Sequence, residues 1–440
     1  MIDRTVAHRR IGLWTCTALV IGNIIGIGIF LLPASLAPFG LNALIGWVVT
    51  LVGCLALARV FADLAAAMPT VDGPYGYIRS TLGALVAYMA LWAYWVSLCL
   101  TNAALATGSV GYLVVVFPVL NAISPALLTL AILWLFVVIN LLGARAGGGV
   151  QIVTTVVKLV PMLAIAILGA WVLVQTPASY TAHLPPTPLS SSSVMAATTL
   201  ALFAMLGIES ASVPAARVEN PGRTIPHATM VGAMVTAIIY IAVSAIPLLL
   251  LPQHDLGSSG APFALLMDRY GEAGFGRWLS LFVVVSGLGA LNGWTLLTGE
   301  LTCTMSENRV LPALFTHRNR REAPSTALIM AGVLASVMIW MSYSKSLVAA
   351  FTFITRVVTA ANLPLYLCCA LALLVLLWRG TVGLRVLPGA ALGLAFAVFA
   401  IVGAGLEPLF LSAGLIVAGL PLYALMKRYR RAATIDRRQA

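Results

Sequence analysis

Charge is scarce in this 440-residue chain: 9% of residues are Asp, Glu, Lys or Arg, and only 13 are acidic. A soluble domain of this length needs a charged exterior, so that class is excluded. Long polar stretches are missing too. The longest run from Gln175 to Ser193, Pro252 to Arg277 and Ser306 to Ser325, and none could bury a core of its own, which excludes an extramembrane catalytic or sensory output domain. The six cysteines (Cys16, Cys54, Cys99, Cys303, Cys368, Cys369) lie in or beside apolar segments without CxxC spacing, so they read as packing residues. His8, His183, His227, His254 and His317 are scattered. No metal, cofactor or nucleophile–base constellation can be assembled from this set, which argues against an enzyme.

Apolar residues make up 61% of the chain and the mean hydropathy is +1.02. Cutting at polar and Pro/Gly-rich points leaves about twelve stretches near the roughly 20 residues that cross a hydrocarbon core. They fall at 11–36, 42–68, 83–116, 124–142, 150–175, 193–217, 227–251, 276–306, 325–342, 347–377, 384–404 and 407–426. Basic residues cluster in the alternate loops and in the tail from Lys427 to Arg438, whereas the other side keeps Arg269, Arg277 and Lys345. The positive-inside rule then puts both termini in the cytoplasm of a bacterial inner membrane. The net charge of +12 follows from this topology and from attraction to anionic lipid head groups, and needs no nucleic acid partner. The basic N-terminus leads into an apolar run without a small-residue cleavage site, so it reads as a retained first span.

Two short interruptions stand out. Gly26-Ile27-Gly28 breaks the first span, and Leu206-Gly207-Ile208-Glu209-Ser210 breaks the sixth. Each leaves unpaired backbone groups at mid-membrane depth, tolerated only where protein or a polar cavity satisfies them. The Pro/Ser-rich stretch at 176–192 separates two groups of five spans, and a break opens each group. With five spans per group the second runs inverted through the membrane, a pattern that points to a transporter with its site at the paired breaks. The expected division is a cytoplasmic N-terminus (1–10), a first five-helix repeat (11–175), an external linker (176–192), a second repeat (193–377), two additional spans (378–426) and a basic tail (427–440). Free amides around Ile27 and Gly28 favour a carboxylate, and carbonyls near Phe203, Ala204 and Leu206 favour an ammonium. An α-amino acid carries both.

The runs Ile21-Gly22-Asn23-Ile24-Ile25-Gly26-Ile27-Gly28-Ile29-Phe30-Leu31-Leu32-Pro33-Ala34, Gly207-Ile208-Glu209-Ser210-Ala211-Ser212, Glu219-Asn220-Pro221 with Arg223 and Pro226, and Gly293-Trp294-Thr295-Leu296-Leu297-Thr298-Gly299 resemble the amino acid, polyamine and organocation transporters. Within them the likeness is to the bacterial arginine/agmatine, lysine/cadaverine and ornithine/putrescine antiporters, over essentially the whole chain. The resemblance implies an all-α integral membrane protein in a LeuT-like 5+5 inverted repeat with broken first and sixth helices, working by alternating access, and a homodimer. It also implies that Ile27 and Gly28 bind the substrate carboxylate through backbone amides and that Phe203 and Leu206 hold the α-amine. Ser97 and Asn102 would meet the substrate side chain, Trp294 its aliphatic stem. Tyr94 and Glu209 match an inner gate and Tyr75 an outer-layer gate position.

This chain departs from the arginine/agmatine pattern where Phe203 replaces a tryptophan, Ile27 and Val357 replace serines and Leu365 replaces a gate tyrosine. Glu209, an ionisable residue within a break, reads as a gate and pH sensor. Lys158, mid-span and without an acidic partner at helical spacing, resembles the fifth-span lysine of sodium-independent members, a built-in cation near carbonyls of the first span. Arg59 and Asp63, four apart, read as a structural pair. The expected activity is exchange of a basic amino acid for its decarboxylated amine, with arginine against agmatine as the specific pair. Lys158 speaks for the alternative, proton-coupled uptake or exchange of neutral amino acids. Two unit charges about 8 Å apart repel by roughly 2 kcal/mol at an effective dielectric near 20, which opposes a dicationic amine.

Overall fold

A computed structural model describes residues 12–68, 71, 73–143, 148–183, 187–208 and 221–427. Among them there are helices and no strands. The first half contains α1 (Leu13–Ile24), α2 (Gly28–Leu36), α3 (Asn42–Ala67), α4 (Gly73–Leu82), α5 (Ala84–Val116), α6 (Pro125–Leu141) and α7 (Gly148–Gln175). The short α8 (Ser179–Ala182) lies in the linker. The second half contains α9 (Ser191–Ala204), α10 (Pro221–Leu250), α11 (Gln253–Ser258), α12 (Pro262–Tyr270), α13 (Phe275–Glu307), α14 (Ser325–Met341) and α15 (Leu347–Trp378), and α16 (Leu387–Ala404) and α17 (Leu406–Val417) follow.

Eight helices among the described residues are long and apolar enough to cross a membrane, and four shorter apolar ones accompany them: Gly28–Phe39, Pro125–Leu141, Ser191–Ala204 and Ser325–Met341. Among the described residues helices fall on each of the twelve apolar segments, the sixth being described only to Ile208. Their ends shift by a few residues where local chemistry intervenes. Ser190 and Ser346 cap α9 and α15 by accepting from the amides of Ser193 and Ala349, which sets the first turn. The eleventh segment opens with a 3-10 turn at Leu384–Val386 before α16 begins. At 33, 33 and 32 residues, α5, α13 and α15 each run close to 50 Å. They exceed the hydrocarbon thickness, so they tilt or project beyond it.

The packing pairs carry the inverted repeat. Exchanging spans one to five with six to ten turns the contact of α1 with α10 into that of α9 with α3. The same exchange turns α5 against α15 into α13 against α7, and α5 against α14 into α13 against α6. The first of these correspondences extends to single residues. A Cβ on Gly46 of α3 would lie 2.9 Å from Ala197 Cβ of α9, and one on Gly232 of α10 would lie 2.7 Å from Val20 Cγ1 of α1. Each broken span is thus gripped at a glycine by the second span of the opposite half, because only a missing side chain allows so close an approach.

Another close approach joins α5 to the loop between α11 and α12. A Cβ on Gly111 would collide with the Gly260 carbonyl oxygen, and backbone cannot yield as a side-chain tip can. Gly111→Ala is expected to destabilise the fold by about 3 kcal/mol, read as a lower melting temperature in detergent. An unchanged melting temperature would show that this loop moves freely. Arg59 Nε meets Asp63 Oδ2 at 3.0 Å on α3, the pair that the i, i+4 spacing suggests.

Candidate functional site

The first break begins where Ile25 leaves the helix at ψ 102° while its amide still donates to the Ile21 carbonyl at 2.9 Å. Helix resumes at Gly28, with the Phe30 amide on the Ile27 carbonyl at 3.0 Å. Carbonyls at the end of α1 have no following turn to bond, and two neighbouring spans supply donors. Lys158 Nζ of α7, 3% exposed, donates to the Gly22 carbonyl at 3.1 Å. Tyr240 Oη of α10 donates to the Ile24 carbonyl at 3.1 Å. A lysine in an otherwise apolar span is therefore bound to the broken helix, and it forms no ion pair among the described residues. On the other side of the break, Gly28 and Ile29 open α2, where the first amides lack helical acceptors and sit at the positive end of the helix dipole.

The sixth span stops at Ala204. The Met205 and Leu206 amides turn back onto the Leu202 and Phe203 carbonyls at 3.0 and 3.2 Å. Gly207 then takes φ +105°, a conformation that side chains other than hydrogen resist. The Phe203 carbonyl, expected to hold an ammonium, is thus already engaged by the Leu206 amide, although a carbonyl oxygen keeps a second lone pair. Glu209 lies outside the described residues.

Between the breaks lies a small cavity. Ile24, Gly26, Gly28 and Ile29 line it from the first span and Phe203, Ala204 and Leu206 from the sixth. Thr101 and Leu105 of α5, Tyr240 and Trp294 complete its wall. Its free volume is about 20 Å³, room for a single water and not for an amino acid. The Phe203 ring closes its Gly28 side. It stands edge-on to Phe351 with centroids 5.9 Å apart, and a Cβ on Gly28 would be 2.7 Å from Phe203 Cε1. In this conformation the ring covers the start of α2, and a ligand would reach those amides only if the ring moved.

Gly28, Phe203, Leu206 and Trp294 meet around one cavity. Ile27 is not among the lining residues; its side chain packs into the space left by Gly287 of α13 and lies 3.2 Å from where a Gly108 Cβ would be. Asn102 sits one layer behind the wall with its polar groups in use. Its amide donates to the Leu98 carbonyl at 3.1 Å and to Thr298 Oγ1 at 3.2 Å, and its oxygen accepts from Thr295 Oγ1 at 3.1 Å. In this conformation Asn102 ties α5 to α13, as does Trp95 Nε1 on Thr302 Oγ1 at 2.7 Å. Ser97 donates to the Tyr94 carbonyl at 2.7 Å and also lies outside the lining. Tyr75, half-buried on α4, is not among the lining residues either. Val357 and Leu365 are buried on α15. Arg356 of the same helix holds its guanidinium 5.9 Å from the Phe39 ring, with a buried Nε that has no hydrogen-bond partner.

Thr101, Leu105 and Tyr240 went unrecognised in the sequence, as did the Thr295 and Thr298 partners of Asn102. Thr101 could have been found, because it follows Ser97 by four residues and so shares its helix face. Tyr240 carries no such signal, since its partner is 216 positions away.

The chain matches the family described as amino acid permease over residues 11–423. It is 32% identical over 348 residues to the cadaverine/lysine antiporter of Escherichia coli K12, covering 77% of this chain and 76% of that protein. It is 29% identical over 422 residues to the putrescine transporter PotE of Haemophilus influenzae, covering 95% and 97%. A solved manganese transporter of Eremococcus coleocola shares the fold, with a TM-score of 0.54 and 14% identity over 98% of this chain and 97% of that one. With twelve apolar segments, paired breaks and a match along nearly its whole length, the chain belongs to the amino acid permease family of multi-pass membrane transporters.

Proposed function

We propose that the chain is an antiporter exchanging a basic amino acid for its decarboxylated amine, with arginine against agmatine as the specific pair and both termini in the cytoplasm. The observation that carries this reading is the cavity walled by Gly28 on one side, Phe203 and Leu206 on the other, and the Trp294 ring. Helix-start amides suit a carboxylate, carbonyls near the sixth break suit an amine, and aromatic faces suit an aliphatic stem ending in a cation. The names of the relatives, a cadaverine/lysine antiporter and a putrescine transporter, support the same substrate class. Glu209 is proposed as the gating and proton-sensing carboxylate, with Tyr75 and Tyr94 in the gate layers.

The second reading, proton-coupled transport of neutral amino acids, is favoured by Lys158. This cation sits on the Gly22 carbonyl at the first break, where it would repel a dicationic amine. One experiment separates the two. Purified protein in liposomes is given labelled arginine outside, with arginine, agmatine, lysine, cadaverine, alanine or buffer inside. Basic exchange requires arginine entry into vesicles loaded with basic substrate and little into buffer. Absence of arginine entry, with alanine accumulating on an acid-outside gradient, would replace it with the neutral reading.

A further inference from the structure

We propose that Asn362 of α15 is a specificity-determining residue whose side-chain oxygen accepts a hydrogen bond from the distal cationic group of the transported amino acid or amine. The inference rests on the basic-substrate reading above and adds a residue to it.

Asn362 is 2% exposed, and its Oδ1 has no hydrogen-bond partner. Its Nδ2 donates to Ser97 Oγ at 3.3 Å. The orientation of the amide is set by chemistry as well as by distance. Ser97 has one hydroxyl proton, and that proton goes to the Tyr94 carbonyl at 2.7 Å, so toward Asn362 the Ser97 oxygen can only accept. The amide must therefore turn its nitrogen to Ser97, which leaves the oxygen as a pure acceptor. Buried acceptors are almost always satisfied. Asn102 differs in that its amide has two acceptors, the Leu98 carbonyl and Thr298 Oγ1, and its oxygen lies 3.1 Å from Thr295 Oγ1, whose single proton it shares with the Leu291 carbonyl.

The position suits a long substrate. Thr101, which lines the cavity, donates to the Ser97 carbonyl at 2.8 Å. Ser97 and its partner Asn362 thus lie one turn of α5 beyond the wall, about 5.4 Å along the helix. In lysine, five bonds separate the α-carbon from the terminal nitrogen, a reach of about 6 Å when extended. A substrate anchored by its α-groups at the breaks therefore has the length to place its far end in this layer once the site opens. An ammonium or guanidinium brings only donors, the complement that an orphaned acceptor needs. An apolar side chain of the same length would leave the oxygen unpaired.

The test compares wild type, Asn362→Leu and Asn362→Asp in competition against labelled substrate. The competitors are lysine, arginine and norleucine, which keeps the stem and lacks the distal charge. Asn362→Leu is expected to lose about tenfold or more in affinity for lysine and arginine, as for a hydrogen bond to a charged group, with norleucine changed less than twofold. Its ligand-free melting temperature should equal or exceed that of wild type, because an unpaired buried polar atom has gone. Asn362→Asp keeps the free acceptor and its shape, and Ser97 can turn its hydroxyl proton from the Tyr94 carbonyl to the second carboxylate oxygen, so lysine affinity should be retained or raised; should the leucine variant fail to fold, a loss of lysine affinity in an aspartate variant that keeps the wild-type melting temperature would by itself overturn the inference. Unchanged lysine affinity in Asn362→Leu, or an equal loss for norleucine, would overturn it while wild-type lysine binding keeps the basic-substrate reading standing. Absence of lysine and arginine binding in the wild type would overturn both together.

Discussion

Replacing Lys158 with Met is expected to lower exchange by about tenfold to a hundredfold while leaving the melting temperature unchanged or higher. The two effects have different origins. Lys158 is 3% exposed and donates to the Gly22 carbonyl at 3.1 Å. A charge-assisted hydrogen bond of this kind contributes about 1.5–3 kcal/mol, which translates into that range of rate or affinity. Met keeps the length of the stem and loses the donor, so the end of α1 is no longer held in place. Removing a buried cation also removes its desolvation penalty, which offsets the cost of leaving the Gly22 carbonyl without its donor. The measurements are counterflow in liposomes and thermal unfolding in detergent. Parallel loss of both would assign Lys158 to the scaffold alone. The same variant should transport diamines better relative to amino acids, since relief of roughly 2 kcal/mol of repulsion acts on a dication.

Phe203→Ala should open the cavity and uncouple it. The ring closes the space over Gly28 and braces against Phe351. Its removal enlarges a cavity of about 20 Å³ by the volume of a phenyl ring and exposes the start of α2. Substrate efflux into buffer without counter-substrate should rise severalfold, and affinity for arginine should fall about tenfold as an aromatic wall is lost. Phe203→Trp works in the other direction. A larger face strengthens the cation attraction by about 0.5–1 kcal/mol, so arginine affinity should rise about threefold with alanine unaffected. Equal changes for arginine and alanine in both variants would reduce the ring to a steric plug.

Much of the architecture was legible in residue order because hydropathy and helix geometry are local properties. Runs of about twenty apolar residues declare spans, and the clustered pattern of Gly26-Ile27-Gly28, with its counterpart at Leu206-Gly207, marks where they are interrupted. The expectation that Lys158 contacts carbonyls of the first span came from the cost of an unpaired charge, and the Gly22 carbonyl is its partner. Neighbour identity is another matter. Nothing in the order of residues says that Tyr240 bonds the Ile24 carbonyl or that Gly46 receives Ala197, because such pairs are created only when distant spans pack.

The candidate site divides in the same way. Composition, span number, the positions of the breaks and the residue types around them were determined by the sequence alone, since each depends on single residues or short runs and on the transfer energetics of a bilayer. Tertiary structure alone decided which polar side chains are available to a ligand. The Asn102 amide is spent on Leu98 and Thr298, Ile27 turns into the notch at Gly287, and Asn362 is left with an unpaired oxygen. The physical reason is that hydrogen-bond satisfaction is a property of pairs. Partners separated by about 200 positions are assigned by helix packing, and local sequence does not encode them.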